Sequence, residues 1–431
     1  MEKRAGKVVL IAGATGFIGT RLSAACVHAG DTVVCASRDT RSPGPNCTHR
    51  IALDYESMPS REELIEILTG VDVVVNSVGI LRERRGQTFE KVHASGPVAL
   101  FEACVAAGVK RIVQISALGA EEGAAARYHV SKARADAALK ALPIDWVIVQ
   151  PSLIYGAGGS SAQLFEFLAS LPVIPLPGDG EQHVQPVHVQ DVTTALLTLI
   201  HGTAASRQVV PMVGPAPASL RGFLVSLRAG LGLPPTRTVR MPSPLMRAAA
   251  AVGDHVPGMM LDRETLGMLT RGSTGDPAPL SALLGRPAQP ISRFVAPERR
   301  AERGVAASLR WLAPLLRFSV AAMWFIAAIV SIGPYPVEKS LALLVQVGIP
   351  PGQAVHALAG AALLDFVFGV ATLWPRRSRA LWNAQLFVVL AYTAIITVRL
   401  PHLWLDPFGP IAKNLPILVM LLALRELEDR R

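Results

Sequence analysis

The chain is poor in features that would place it in several common classes. Only 4 of its 431 residues are cysteine, and Cys26, Cys35, Cys47 and Cys104 lack the paired spacing of a metal site. They read as reduced, mostly structural thiols, and no metal is expected. The N-terminus, Met1-Glu2-Lys3-Arg4-Ala5-Gly6, has no apolar signal region and runs straight into a strand, so the first domain is expected to stay in the cytoplasm. Basic residues outnumber acidic ones, 42 to 32, for a formal charge of +10. Basic and aromatic residues are not interleaved as a base-stacking surface requires, so nucleic acid is not an expected partner. Hydrophobic residues make up 51% of the chain, a composition that fits a part-membrane protein.

What is present begins at the N-terminus. Gly13-Ala14-Thr15-Gly16-Phe17-Ile18-Gly19 follows the apolar run Val8-Val9-Leu10-Ile11 and opens a stretch with a helical apolar face, Thr20 to Val27. A glycine run at a strand-to-helix turn is a dinucleotide fingerprint, because missing Cβ atoms let backbone N–H groups approach a pyrophosphate. The helix N-terminus adds partial positive charge for that anion.

About twenty residues past the glycines, an acidic residue would hold the ribose hydroxyls of NAD. The strand Thr32 to Arg38 ends instead on Ser37 and Arg38. A guanidinium there suits a 2′-phosphate, so NADP(H) is favoured over NAD(H), although Asp39 is an alternative partner for Arg38. Asp54 is a candidate for the adenine edge or, equally, a helix N-cap.

Two further apolar strands, Val71 to Asn76 and Arg111 to Ser116, alternate with helical stretches, the pattern of an α/β doubly wound parallel sheet. Ligands in such sheets lie beyond the carboxyl ends of the strands, which places Asn76, Ser77, Gly79 and Ser116 on the ligand edge. Twelve positions past Ser116, Tyr128 and Lys132 fall on adjacent turns of one helix face. A phenol with a pKa of about 10 is a poor acid or base at neutral pH, and an ammonium one turn away would draw it down. The expected roles are a substrate hydrogen bond for Ser116, proton transfer for Tyr128, and pKa lowering with a hold on the nicotinamide ribose for Lys132.

Residues from about 6 to 200 resemble the short-chain dehydrogenase/reductase superfamily in its extended or atypical branch, which includes NAD-dependent epimerase/dehydratases. The resemblance rests on the glycine loop, on Ala107-Gly108-Val109-Lys110-Arg111, on Tyr128 with Lys132, on Gln150-Pro151-Ser152-Leu153-Ile154-Tyr155-Gly156 and on Pro186 to Val192. It implies a Rossmann domain whose cofactor site includes Gly13, Thr15, Gly16, Phe17, Ile18, Gly19, Arg38, Asp54, Asn76, Ser77, Gly79, Lys132 and Pro151. The order of elements most resembles the dehydrogenase-like accessory-subunit group of respiratory complex I, whose members hold NADPH tightly and in several cases lack the tyrosine. Where many relatives carry Asn in a V-N-x-x-G segment, this chain has Val92-His93-Ala94-Ser95-Gly96. His93 either replaces the asparagine in a proton relay, since imidazole titrates near neutrality, or is a packed helix residue.

The expected domains are a Rossmann domain over 1–205, a small substrate lobe and linker over 206–304, and a transmembrane domain over 305–431. In the lobe, Met241, Met246, Met259, Met260 and Met268 either line an apolar pocket or fill core. Four apolar stretches follow, at Leu312 to Gly333, Ala354 to Trp374, Ala380 to Val398 and Gly409 to Leu424. The first three reach the roughly twenty residues a span needs, and the last has a shorter clean apolar core. Arginines precede the first stretch, join the second to the third at Arg376, Arg377 and Arg379, and close the chain at Arg425, Arg430 and Arg431. Positive-inside bias then puts both ends on the cytoplasmic side of the cell's inner membrane, with the lipid bilayer as partner.

Asp365, inside the second stretch, is either a structural clasp or a proton or quinone site, with His356, Asn383, Gln385 and Lys413 as candidate neighbours. The region resembles the DoxX-like four-helix membrane family through Asp406-Pro407-Phe408-Gly409-Pro410 and Lys413-Asn414-Leu415-Pro416, and that resemblance implies a link to quinones. Two functions fit the whole. One is a membrane-anchored NAD(P)H-dependent oxidoreductase or epimerase acting on an apolar carbonyl, hydroxyl or quinone-related substrate. The other is a non-catalytic NADPH-holding module that stabilises, or senses redox state in, a membrane complex.

Overall fold

The computed structural model describes residues 6–40, 47–84, 86–203, 205–255, 263–375, 378–407 and 409–428. Met259, Met260, Arg376, Arg377, Phe408, Arg430 and Arg431 lie outside the described residues. The chain divides into two compact units, residues 1–307 and 308–431.

In the first unit, strands β1 (Val8–Ala12), β2 (Thr32–Ser37), β3 (His49–Ala52), β4 (Val73–Asn76), β5 (Arg111–Ile115) and β6 (Asp145–Pro151) alternate with helices α1 (Phe17–Ala29), α2 (Arg61–Leu68), α3 (Gly96–Ala107) and α4 (Arg127–Ala141). Helices α5 (Ser160–Ser170) and α6 (Val189–His201) lead to a seventh sheet strand, Gln208–Met212. The sheet order, from that strand, is seventh, β6, β5, β4, β1, β2, β3, with every pairing parallel. The order reverses beside β1, which sets the ligand crevice at the carboxyl ends of β1 and β4.

Burial on both faces explains the unbroken apolar runs of the central strands. Val9 and Ile11 pack with Val73, Val75 and Leu196 on one face, while Leu10 and Ala12 pack with Val74, Leu100, Phe101 and Leu139 on the other, the two-residue alternation of a strand. Helix α2 starts at Ser60, whose hydroxyl accepts from the Glu63 amide while the Glu63 carboxylate accepts from the Ser60 amide.

The smaller lobe is built on α5, α7 (Leu220–Gly230), α8 (Ser243–His255) and α9 (Arg263–Arg271), while α10 (Ala278–Leu284) packs back on the sheet domain through Leu280. Phe165, Phe223, Leu224, Leu227, Phe294 and Val295 form its core. Met241 and Met246 pack with Ala250 and Leu266, so these two methionines fill core.

One expectation about the thiols is overturned. Cys35 and Cys47 are joined in a disulfide, while Cys26 and Cys104 are free and buried. The parallel pairing of β2 with β3 is the cause. It sets Cys35 opposite Arg50 and brings the chain just before β3 back alongside β2, leaving the two Cα atoms 6.0 Å apart, within bridging reach.

The second unit continues α11 (Arg300–Ile332), followed by α12 (Val337–Gln346), α13 (Pro351–Leu373), α14 (Arg379–Arg399) and α15 (Asn414–Glu428). Among the described residues, three helices, over Pro297–Ile332, Pro351–Leu373 and Arg379–Arg399, are long and apolar enough to cross a membrane. Helix α15 begins five residues later than its apolar stretch and has 15 residues, about 22 Å at 1.5 Å per residue, short of a roughly 30 Å hydrocarbon core. Helix α12 was not legible as a separate element. Buried polar side chains join the helices. The Trp324 indole N–H donates to Gln385 Oε1 at 2.7 Å, and Gln385 Nε2 donates to Thr372 Oγ1 at 3.1 Å. Asp365 is 7% exposed with Oδ1 lacking a hydrogen-bond partner, and Lys413, His356 and Asn383 are exposed rather than paired with it.

Candidate functional site: a glycine loop and a Tyr-Lys helix

The glycine loop fits a dinucleotide on its own geometry. Gly13 has φ +78°, and a Cβ there would lie 3.0 Å from the Ser77 backbone. A Cβ on Gly19 would come within 2.2 Å of the Gly13 carbonyl oxygen, so only glycine lets α1 pack this tightly on the loop. Gly16 is the N-cap of α1 and supplies no side-chain cap, which leaves the amides of the first turn at Phe17 and Ile18 available to an anion, with Thr15 exposed beside them. Ser77 fixes the loop from β4, its hydroxyl donating to Ala12 O at 2.7 Å. Phe17 is wedged beneath the segment after the β6 end, where a Cβ on Gly159 would meet its ring at 2.8 Å. The Arg21 guanidinium covers that ring at 4.4 Å and donates to Ala157 O.

The remaining expected cofactor residues separate into two kinds. Arg38 is exposed just past the end of β2, free of the sheet. Asn76 is wholly buried and acts as a clasp: it accepts from the Tyr55 hydroxyl at 2.9 Å and donates to Gln114 Oε1 at 2.7 Å, tying β4 to β5. Asp54 is not the cap of α2, which is Ser60; it holds a turn, accepting from the Glu56 amide at 3.1 Å. Pro151 is buried at the end of β6, its carbonyl accepting from the Leu118 amide at 2.9 Å.

Helix α4 carries Tyr128 and Lys132. Its first-turn amide at Tyr128 donates to Glu264 Oε1 on α9 at 2.8 Å, since Ala126 offers no cap, so the smaller lobe reaches back to the start of this helix. Arg82, after β4, makes a second link by donating to Gly253 O at 2.8 Å. The Tyr128 ring meets Phe89, His93 and His129 edge-on. Lys132 is 3% exposed, and its ammonium donates to Ile115 O at 3.0 Å and Val78 O at 3.2 Å, joining the ends of β5 and β4. Burial draws Lys132 down to about 8, partly offset by Asp136.

The expected pull of Lys132 on the tyrosine does not appear. Burial, with Asp136 second, pushes Tyr128 up to about 12. At neutral pH the side chain is therefore a phenol, a proton donor. His93 sits on a π-helical turn, Glu90–Ser95. Ser131 spends its hydrogen on Tyr128 O, so His93 Nδ1–H donates to Ser131 Oγ at 2.9 Å while Nε2 accepts from the Ile80 amide at 2.9 Å. Burial, with Lys132 adding repulsion, drives it down to about 2. His93 braces the Val78–Ile80 turn, and burial disfavours its charged form. Gly79 lies between both groups, 3.3 Å from Lys132 Nζ measured from an ideal Cβ.

Ser116 is buried at the end of β5, and its hydroxyl donates to Asp136 Oδ2 at 2.5 Å. Asp136 was missed in the sequence although its signal was available, four residues past Lys132 and eight past Tyr128 on the same face.

Known proteins share the two parts of the chain. Residues 9–210 match the NAD dependent epimerase/dehydratase family and residues 321–422 the DoxX-like family. A ceramide reductase of Caulobacter vibrioides is 30% identical over 205 residues, covering 46% of this chain and 62% of that protein. The mitochondrial NADH dehydrogenase (ubiquinone) 1 alpha subcomplex subunit 9 of Arabidopsis thaliana is 26% identical over 262 residues, covering 58% and 64%. The chain thus spans less than two thirds of the length of either relative. Among solved structures, an NADPH-dependent quinone oxidoreductase of Escherichia coli complexed with NADPH superposes with TM-score 0.53 at 19% identity, over 67% of this chain and 98% of that one. A nucleoside-diphosphate-sugar epimerase of Staphylococcus aureus gives 0.55 at 16%, over 67% and 99%, and these two share the fold. The chain therefore joins an NAD dependent epimerase/dehydratase-type domain of the short-chain dehydrogenase/reductase kind, related to complex I accessory subunits, to a C-terminal DoxX-like domain.

Proposed function

We propose that this chain is a membrane-anchored NAD(P)H-dependent oxidoreductase or epimerase that acts on an apolar carbonyl or hydroxyl compound, or a quinone-related one, carried by the bilayer. The observation that supports it most is Tyr128, held as a phenol on the same helix face as Lys132, at the sheet edge that the glycine loop opens. A bound nicotinamide supplies or accepts hydride at the substrate carbon. Tyr128 delivers the proton to the substrate oxygen in reduction and takes it back in oxidation. Lys132 keeps the ends of β4 and β5 together and places positive charge near that oxygen. Arg38 favours NADP(H), its guanidinium suiting a 2′-phosphate at the end of β2.

The domain sits on the cytoplasmic side of the inner membrane in this reading, which rests on the arginine clusters flanking the apolar helices. An apolar substrate supports the tether, because a lipid-borne molecule need not leave the bilayer's surface to reach the domain. The quinone alternative draws on Asp365, a buried carboxylate with an unpartnered oxygen.

A second reading has its own support. His93 is locked as a neutral brace, Lys132 is tied to backbone and Ser116 to Asp136, which suits a module that holds NADPH to stabilise a membrane complex. The experiment is NADPH oxidation by the detergent-purified chain with short-chain quinones and apolar ketones, in wild type and Tyr128→Phe. Turnover lost in the variant, with NADPH affinity kept, supports the enzyme. Tight NADPH that no acceptor oxidises supports the module.

A further inference from the structure

Asp136 is a buried carboxylate, 3% exposed, to which the reading above gives no role. Its Oδ2 accepts the Ser116 hydroxyl hydrogen, and its Oδ1 has no hydrogen-bond partner. A serine hydroxyl has one hydrogen and two lone pairs. With the hydrogen spent on Asp136, Ser116 offers only lone pairs to a molecule beyond the end of β5. Lone pairs suit a substrate hydroxyl, whereas a carbonyl oxygen needs a donor. A carboxylate buried with half its acceptor capacity unused is poorly satisfied as an anion, and a proton on it relieves that cost.

We infer that Asp136 is a positioning residue that sets the direction of the Ser116 hydroxyl. Ionised, it holds the hydrogen and makes Ser116 an acceptor for an alcohol. Protonated on Oδ2, it donates to Ser116, whose own hydrogen then turns to a carbonyl oxygen. The proton comes from water and returns to it, and no bond between heavy atoms changes. The inference deepens the proposed hydride-transfer reading and rests on it for its consequence, that acid favours carbonyl reduction and base favours alcohol oxidation.

The surroundings place the switch close to neutrality. Burial pushes Asp136 up to about 6 against the Ser116 hydrogen bond, the charges of Lys132 and Lys140 on its own helix, and Gln150 of β6. Tyr128, two turns away, feels its charge in return. The π-turn packed on α4 brings His93, which is neutral, and Glu90, which is paired with Arg134 at 2.7 Å. Helix α3 carries one charged residue, Glu102, which is exposed, and Asp145 at the far end of β6 is paired with Arg111.

The test is an infrared pH titration of the detergent-solubilised full chain with NADP+ bound. The expected result is a protonated-carboxyl stretch that grows as pH falls through about 6, is lost in Asp136→Asn, and moves to higher frequency in Ser116→Ala. If Asp136→Asn fails to fold, carbon-13 labelling of aspartate carboxyls assigns the band in wild type and Ser116→Ala alone. No aspartate band titrating near that pH, or a band that Ser116→Ala leaves in place, overturns the inference. The spectrum decides this whether or not hydride transfer occurs, so failure of the catalytic reading, seen as NADPH that is never oxidised, stays distinguishable.

Discussion

Gly19→Ala tests the cofactor loop where its geometry is least forgiving. The new Cβ would sit 2.2 Å from the Gly13 carbonyl oxygen and 2.8 Å from Ala14 Cα, both backbone atoms that no rotamer change can move aside. Relief requires α1 and the loop to separate by roughly 1 Å, at an overpacking cost of about 1–3 kcal/mol. The same shift takes the Phe17 and Ile18 amides off the pyrophosphate position. Each charge-assisted hydrogen bond lost is worth about 1.5–3 kcal/mol, so NADPH affinity should fall by about tenfold to more than a hundredfold. Fluorescence titration of NADPH measures this, and a thermal melt without nucleotide reads the packing cost separately. An alanine variant that binds NADPH as wild type does, at an unchanged melting temperature, would show that the loop does not hold the cofactor in this way.

Three further outcomes follow from the site. Arg38→Glu should weaken NADPH about ten- to a hundredfold while leaving NADH far less affected, and equal losses for the two nucleotides would remove the phosphate assignment. Asp136 binds its proton at about 6 when folded against 3.8 ordinarily, so the folded chain holds the extra proton between those values and stability falls as pH rises across them, by up to about 3 kcal/mol. The melting temperature of Asp136→Asn should therefore gain on wild type from pH 4 toward roughly 6, and a constant difference would contradict the buried, strained carboxylate. His93→Ala should loosen the Val78–Ile80 turn and lower affinity for nucleotide without adding or removing a step in the pH dependence near neutrality, since the imidazole is neutral throughout that range. A lost titration step in that variant would restore the relay role.

Much of the fold was legible because its signals are local. Apolar runs at Val8–Ile11, Val73–Val75 and Arg111–Ile115 with glycine at the first turn are enough to specify the parallel sheet and its ligand edge. Tyr128 and Lys132 were found by helical spacing alone. What could not be read depends on long-range contacts. Nothing in Asn76 or Ser77 announces that one clasps Tyr55 and Gln114 and the other braces the glycine loop. The direction of the Tyr128 shift was not legible because it comes from burial, which sequence does not report, and from the charge of Asp136. Cys35 and Cys47 looked unrelated until strand pairing brought them together. In the second unit, hydropathy marked the long helices but not the start of α15 at Asn414, where the preceding turn consumes part of the apolar stretch.

The most direct test of the central claim is to follow the hydride itself. Membranes containing the full chain are supplied with NADPH carrying deuterium at the transferable position of the nicotinamide, and lipid extracts are compared by mass spectrometry for wild type and Tyr128→Phe. The account predicts deuterium on a carbon of an apolar, oxygen-bearing lipid with wild type and its absence with the variant. Label that stays on tightly bound NADPH in both would contradict it and leave a nucleotide-holding membrane module.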